Sequence, residues 1–138
     1  MNKQEQMLKI LKDTRDYYAE DPYARRSLDG DSNCNYTWGN THCAVGRYLK
    51  PEYQKEQWSC NNDSVNQLCE EKAHTIEPHG WNIDWALREE VHGLCPNFWM
   101  RLQDFHDNRH NWDQHGTTDF GRDEYLQIED RIVRGLYD

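Results

Sequence analysis

The chain has 138 residues, with 16 Lys and Arg against 25 Asp and Glu, and therefore a formal net charge of −9. This length accommodates one domain with a modest core. Leu, Ile, Val and Phe number only 22, a fraction typical of disordered chains, but 6 Trp and 8 Tyr supply the missing apolar area. We therefore predict one folded domain over residues 1–138.

The charge is distributed unevenly along the chain. Residues 51–138 hold 18 acidic side chains against 8 basic ones, whereas residues 1–50 are close to neutral. Nucleic-acid binding needs a basic stripe, so we do not expect it here. The acidic surplus indicates either a solubilising surface or a face that docks on a basic partner.

No apolar run has the roughly 20 residues of a membrane span and no secretory leader is recognisable, so we expect a cytoplasmic protein without membrane contact.

The first half of the chain predicts a helix followed by an irregular insertion. Residues 3–19 place apolar side chains at helical spacing, and Pro22 ends the helix. Residues 34–43 predict a short β-hairpin within a loop-like region. A short helix is expected over 44–49, stopped by Pro51.

The second half predicts four further helices, over 65–77, 83–93, 96–110 and from Thr117 or Thr118 onward. Ser64 and Gln67 form a capping box. The last helix is expected to have an apolar face made of Tyr125, Ile128, Ile132 and Leu136. Leu126 and Val133 are expected to widen this face. The predicted fold is mainly α, a single small domain of about five or six helices with a short irregular or β-hairpin insertion near residues 30–45. No internal repeat is evident.

One candidate catalytic set combines a thiol with an imidazole. Cys43 precedes the expected helix 44–49, and a helix N-terminus stabilises a thiolate. His106 followed by Asp107 would supply a base and an orienting carboxylate, as in thiol hydrolases that perform acyl transfer. The alternative is that Cys43 anchors the insertion and His106 hydrogen-bonds within the core.

A metal site is the second candidate. The odd count of five cysteines contains no CxxC spacing. His106 and His110 stand four residues apart on an expected helix, but the pattern is not HExxH. The candidate ligands are Cys34, Cys43, His106, His110 and His115, and zinc is the metal that they would bind. We favour structural packing for the cysteines and predict no cofactor, with zinc as the alternative.

Two sets of residues are candidates for binding. Trp38 and Trp58 lie outside the best-defined helices, and exposed tryptophans are enriched at interface hot spots. Packing under loops is the alternative. Arg25, Arg26 and Arg47 form a small basic group that would hold a phosphate.

Two paired motifs also stand out, a CxY…CAVG segment and an LQxxHD…W segment. They contain Cys34, Tyr36, Cys43, Gly46, His106, Asp107 and Trp112. The motifs resemble a pattern found in small uncharacterised proteins of bacteriophages and prophages, over roughly residues 34–116. The resemblance implies a phage-type origin and a shared fold, and it transfers no catalytic residue.

From these features we predict a small acidic accessory protein of phage type. It would bind, and modulate or inhibit, a host protein with a basic surface, such as a nuclease or a defence factor, in the cytoplasm of an infected bacterium. Small size, surplus aromatics and the lack of a complete catalytic signature favour binding over catalysis. Two alternatives stay open: a cysteine hydrolase using Cys43 and His106, and a protein that sequesters a nucleotide-type ligand.

Overall fold

Four helices and two antiparallel hairpins form the regular structure of the described residues, which are 1–27, 34–71 and 81–137 of this computed structural model. The helices are α1 (Lys3–Glu20), α2 (Val65–Glu70), α3 (Pro96–Asp107) and α4 (Asp119–Val133). The hairpins pair β1 (Thr37–Trp38) with β2 (Thr41–His42), and β3 (Trp112–Asp113) with β4 (Gly116–Thr117). The predicted small, mainly helical single domain with a β-hairpin in its first half is confirmed.

Side-chain caps fix where three of these helices begin. Asn2 caps α1 by accepting a hydrogen bond from the backbone of Glu5. Ser64 caps α2 in the predicted capping box, and Thr118 caps α4 by accepting from the backbone of Gly121. Each cap satisfies an N–H group that the helix itself leaves without a partner. The sequence signal for these starts is therefore local.

Three of the predicted helices differ from the observed elements. Residues 83–93 form two 3-10 turns, Asp84–Ala86 and Glu89–Val91, and not a continuous helix. The predicted helix over 44–49 is a single 3-10 turn, Gly46–Tyr48. α3 ends at Asp107, before the predicted residue 110. The part of the predicted helix 65–77 from residue 72 onward lies outside the described residues.

The core lies where α1, α3 and α4 pack together. Its largest fully buried side chains include Trp99, Tyr18, Phe98 and Phe105. Aromatic rings contact one another throughout, as Phe105 does with Trp112 at 5.2 Å between ring centroids. The prediction of an aromatic-rich core is confirmed. Within the described residues, no helix has both the length and the apolar character to cross a membrane.

The two hairpins repeat one backbone arrangement, which the sequence analysis did not detect. After the first hairpin, the N–H of Cys43 donates to the carbonyl of Tyr36 at 3.2 Å. After the second, the N–H of Thr118 donates to the carbonyl of Asn111 at 2.9 Å. Both bonds span the same number of residues, and each closes a hairpin before the chain turns into a helical segment. The fold therefore contains the same hairpin-to-helix unit twice.

A glycine makes each unit possible. A Cβ built on Gly46 would lie 2.1 Å from the carbonyl oxygen of Tyr36. A Cβ on Gly121 would lie 2.2 Å from the carbonyl oxygen of Asn111. Both distances are far shorter than any van der Waals contact, so only glycine fits. These glycines allow the helical segment to pack directly on the hairpin backbone.

Candidate functional site

Asp107, at the end of α3, is the centre of a hydrogen-bonded cluster. Both of its carboxylate oxygens accept from the Gln103 amide, at 2.9 and 3.0 Å. The Nδ1 of His106 lies 3.0 Å from the same carboxylate. Burial alone would raise the pKa of Asp107, but hydrogen bonds from His106, Gln103 and Cys34 lower it below its usual range. Asp107 is therefore a charged acceptor, and Nδ1 of His106 carries the proton.

His106 is fully buried. Its ring lies 4.2 Å from the ring of Tyr18, and its backbone carbonyl accepts from the indole of Trp112 at 3.1 Å. The Nε2 atom has no hydrogen-bond partner within the described part of the chain. Burial lowers the pKa of His106 and outweighs the opposing effect of Asp107, so the ring is neutral.

Neither candidate thiol is paired with the imidazole of His106. His106 contacts Asp107 through Nδ1, and its Nε2 has no hydrogen-bond partner within the described residues, whereas a hydrolase needs the imidazole next to the thiol. Burial, with a further contribution from Asp107, raises the pKa of Cys34 to about 12. Its thiol is therefore protonated at neutral pH.

The thiol of Cys43 contacts the backbone of the turn that follows it. It is fully buried, and its Sγ accepts from the N–H of Gly46 at 3.3 Å. In the second hairpin unit, the hydroxyl of Thr118 accepts from Gly121 in the same way, at 3.1 Å. Burial and the nearby Asp107 raise the pKa of Cys43. The helical segment after Cys43 is a single 3-10 turn, and the hydrogen bond from Gly46, which lowers the pKa of Cys43, is outweighed by burial.

Alkylation of the folded protein tests this assignment. At pH 8, iodoacetamide is expected to modify Cys43 at least about 100-fold more slowly than Cys95, because Cys43 is enclosed and protonated. Cys95 is half-buried and serves as the internal reference. Peptide mass spectrometry after timed quenching measures both rates. Equal rates would show that Cys43 is exposed and activated.

The candidate metal ligands lie apart in the described residues. His106 is buried in α3, whereas His110 lies beyond the end of that helix in the 3-10 turn Arg109–Asn111 and is exposed. The predicted placement of both histidines on one helical face is therefore wrong. His115 is also exposed, at the turn of the second hairpin. No group of three or more His, Cys, Asp or Glu with metal-binding geometry occurs among the described residues, and all five cysteines are free thiols.

The three arginines pack on aromatic rings and backbone. The guanidinium carbons of Arg25 and Arg47 lie 4.4 and 3.9 Å from the ring centroid of Tyr17. Arg25 also pairs with Glu20 at 2.7 Å, and Arg26 donates to the carbonyl of Asp107 at 3.1 Å. The structure thus brings Arg25 and Arg47 together on one ring.

The two candidate tryptophans differ in their surroundings. Trp38 lies at the turn of the first hairpin and is 41% exposed. Trp58 is half-buried and stacks on Tyr53, with 5.0 Å between ring centroids, in a cluster that includes Trp85. Trp38 is therefore available to a partner, whereas Trp58 packs under its loop. Trp81 is exposed as well, which the sequence analysis did not single out.

A cleft of about 410 Å³ opens beside Asp107. One wall is a face of α3 that carries Met100, Gln103, Asp104 and Asp107. The opposite wall is the segment 61–67, which leads into α2. Three aspartates, Asp63 among them, line the cleft, and none of its described lining residues is a lysine or an arginine. The sequence did not reveal this cleft, because its walls are far apart along the chain.

The outer face of α4 exposes large apolar side chains, contrary to the predicted width of its buried face. Phe120, Leu126 and Val133 are 74%, 49% and 59% exposed. At 100° per residue they share one side of the helix with Asp119, Asp123 and Asp130. We call these six residues the outer face of α4. Leu136 is also exposed, beyond the end of the helix.

No protein-family model, no curated protein sequence and no solved structure matches this chain.

Proposed function

We propose that this protein acts by binding the basic surface of another protein. The observation that carries the proposal is the outer face of α4, where three large apolar side chains are exposed among aspartates. Protein interfaces combine an apolar centre with a polar rim, and the composition of this face fits that arrangement. Such binding fits a phage-type accessory role. In this role the protein would cover the basic surface that a host nuclease or defence factor presents to nucleic acid.

Charge supports a basic partner over a second copy of this chain. α4 holds five acidic residues and two arginines, and residues 51–138 carry the whole net negative charge. Arg122 and Arg134 pair with Asp119 and Asp130 at 3.8 and 3.4 Å. Because these ion pairs are exposed, they contribute little to the stability of the protein. Two copies of the face would bring like charges together, whereas a basic surface complements them and is attracted at a distance.

The contacts of the candidate catalytic residues also support binding over hydrolysis. Burial raises the pKa of both Cys34 and Cys43, and neither thiol is hydrogen-bonded to His106, whose Nδ1 contacts Asp107. A nucleophilic cysteine needs the opposite, a lowered pKa and a neighbouring base.

The test is capture of a partner from bacterial lysate at moderate salt. We expect the immobilised protein to retain one stoichiometric basic protein, which higher salt releases. The double variant Phe120→Ser/Leu126→Ser is expected to retain at least about tenfold less, because interface centres of this kind dominate the binding energy. Both side chains are exposed, so the fold is expected to tolerate the change.

Tyr23→Ser is the matched control, since Tyr23 is 63% exposed but lies outside α4. Its capture should equal that of the unmodified protein. Absence of a stoichiometric partner would contradict the proposed function. Equal capture by the double variant would show that α4 is not the binding face.

A further inference from the structure

We propose that the cleft between α3 and the segment 61–67 is a binding site for an organic cation, either an ammonium or a guanidinium group. This site is separate from the outer face of α4, and the inference does not depend on the proposed function. Three observations support it: the carboxylates of the cleft, a buried hydroxyl at its wall and the size of the space.

The carboxylates give the cleft a negative character, with Arg101 acting on Asp104 and Arg26 donating to the backbone carbonyl of Asp107 from outside the lining. Asp104 and Asp107 stand three residues apart on α3 and therefore lie on the same face of the helix. Burial and the charge of Asp107 raise the pKa of Asp104, whereas Asp107 is held charged by its hydrogen bonds. Asp63 adds a third carboxylate from the opposite wall. A cation between the walls would relieve the repulsion among these groups.

The hydroxyl of Tyr36 is the second, independent observation. Tyr36 lines the cleft and is only 3% exposed, and its hydroxyl has no hydrogen-bond partner within the described part of the chain. Burial raises the pKa of Tyr36, and the charges of Cys43, Asp107 and Asp63 act in the same direction. A buried hydroxyl without a partner costs free energy, so a ligand that donates a hydrogen bond to it would be favoured.

The other residues that line the cleft, together with the volume of the cleft, indicate which class of ligand fits. Apart from the aspartates, most polar side chains of the cleft are amides, including Asn62 and Gln67, and no lysine or arginine is among its described residues. Phosphate and carboxylate ligands would therefore be repelled. About 410 Å³ lies at the lower end of small-molecule sites and suits a single side-chain-sized cation. Ammonium and guanidinium groups carry only donors, which match carboxylates and a free hydroxyl oxygen.

Such a cation has two sources, a free amine or a basic side chain of a bound protein. Isothermal titration calorimetry with two probes distinguishes them: agmatine as the free cation, and the tripeptide acetyl-Gly-Arg-Gly-amide as the side chain. N-butylurea, which is neutral and of similar shape, is the control ligand. We expect saturable binding of at least one cation with a Kd below about 1 mM, and none of the urea. The probe that binds more tightly identifies the source.

Variants localise the binding. Asp104→Asn is expected to weaken binding of the cation about tenfold or more, since it removes a charge-assisted hydrogen bond. Tyr36→Phe keeps the ring and is expected to weaken it at least about threefold. Glu52→Gln, the same kind of change at an exposed carboxylate outside both the cleft and the outer face of α4, is expected to leave the Kd unchanged.

Three results would overturn the assignment. The first is absence of saturable binding by both cations up to about 10 mM. The second is an equal effect of Asp104→Asn and Glu52→Gln, which would indicate general surface attraction. The third is unchanged affinity in Tyr36→Phe when circular dichroism shows the variant to be folded. Partner capture through the outer face of α4 would be unaffected by any of these, so the two proposals fail separately.

Discussion

Replacing Gly46 by alanine is expected to destabilise this protein by about 3 kcal/mol or more. The added Cβ would lie 2.1 Å from the carbonyl oxygen of Tyr36, which is backbone and cannot rotate away. Relief requires the 3-10 turn after Gly46 to move off the hairpin, and this would also break the bond from the N–H of Cys43 to Tyr36. Urea unfolding followed by tryptophan fluorescence measures the change in free energy.

Gly121→Ala should lower the free energy of unfolding by a similar amount. Its added Cβ would lie 2.2 Å from the carbonyl oxygen of Asn111 in the second hairpin unit. Gly39→Ala is the matched control. Gly39 has a positive φ of 60° but no atom within 4 Å of its Cβ position, so only backbone strain of roughly 1–2 kcal/mol is expected. If Gly46→Ala and Gly39→Ala proved equally stable, the direct packing of helix on hairpin would be contradicted.

The free energy of unfolding is expected to fall as the pH is lowered from 7 to 5, chiefly through His106. Burial lowers the pKa of His106 below its ordinary 6.5, with Arg26 and Arg47 acting in the same direction and Asp107 opposing them. Between that folded pKa and 6.5 the unfolded chain binds a proton that the folded chain does not. Stability therefore rises with pH in this window, by up to about 1.4 kcal/mol per pH unit for one group.

The variant His106→Gln isolates this contribution, because the pH slope can be read even if the variant is less stable overall. Its slope between pH 6.5 and 5 is expected to be shallower than that of the unmodified protein by about 1 kcal/mol per pH unit. His42, whose pKa burial also lowers, contributes to both slopes, and His42→Gln provides the parallel measurement. Asp107 adds a further loss only at lower pH, because its folded pKa is already depressed. Identical slopes with and without His106 would show that its ring is not buried in the neutral form.

Local signals predicted where the main helices begin. α1 and α4 begin beside their caps and bury the residues that recur at helical spacing, such as Leu11 and Ile128. The capping box at Ser64 and the first hairpin were also evident, because caps and tight turns depend on neighbouring residues. Residues 83–93 were misassigned since apolar side chains at helical spacing occur there too. In the structure, Leu49 and Leu87 instead form an isolated β-bridge between two distant segments.

The site shows the limits of sequence patterns more clearly. The motifs marked Cys34, His106 and Asp107, and the structure does bring Asp107 into contact with both of the others. The sequence could not show that His106 is bonded to Asp107 and to neither thiol, an arrangement that favours packing over catalysis. It likewise could not show that Trp58 stacks on Tyr53 while Phe120 is exposed.

By itself, then, the sequence determined the acidic character, the helical class and the starts of the main helices, since each follows from composition or from residues a few positions apart. The tertiary structure alone decided which apolar side chains of α4 are covered and that two hairpin units share one geometry. It also decided that α3 and the segment 61–67 enclose an acidic cleft. These features depend on contacts between distant parts of the chain, and periodicity within a single element contains no information about its neighbour.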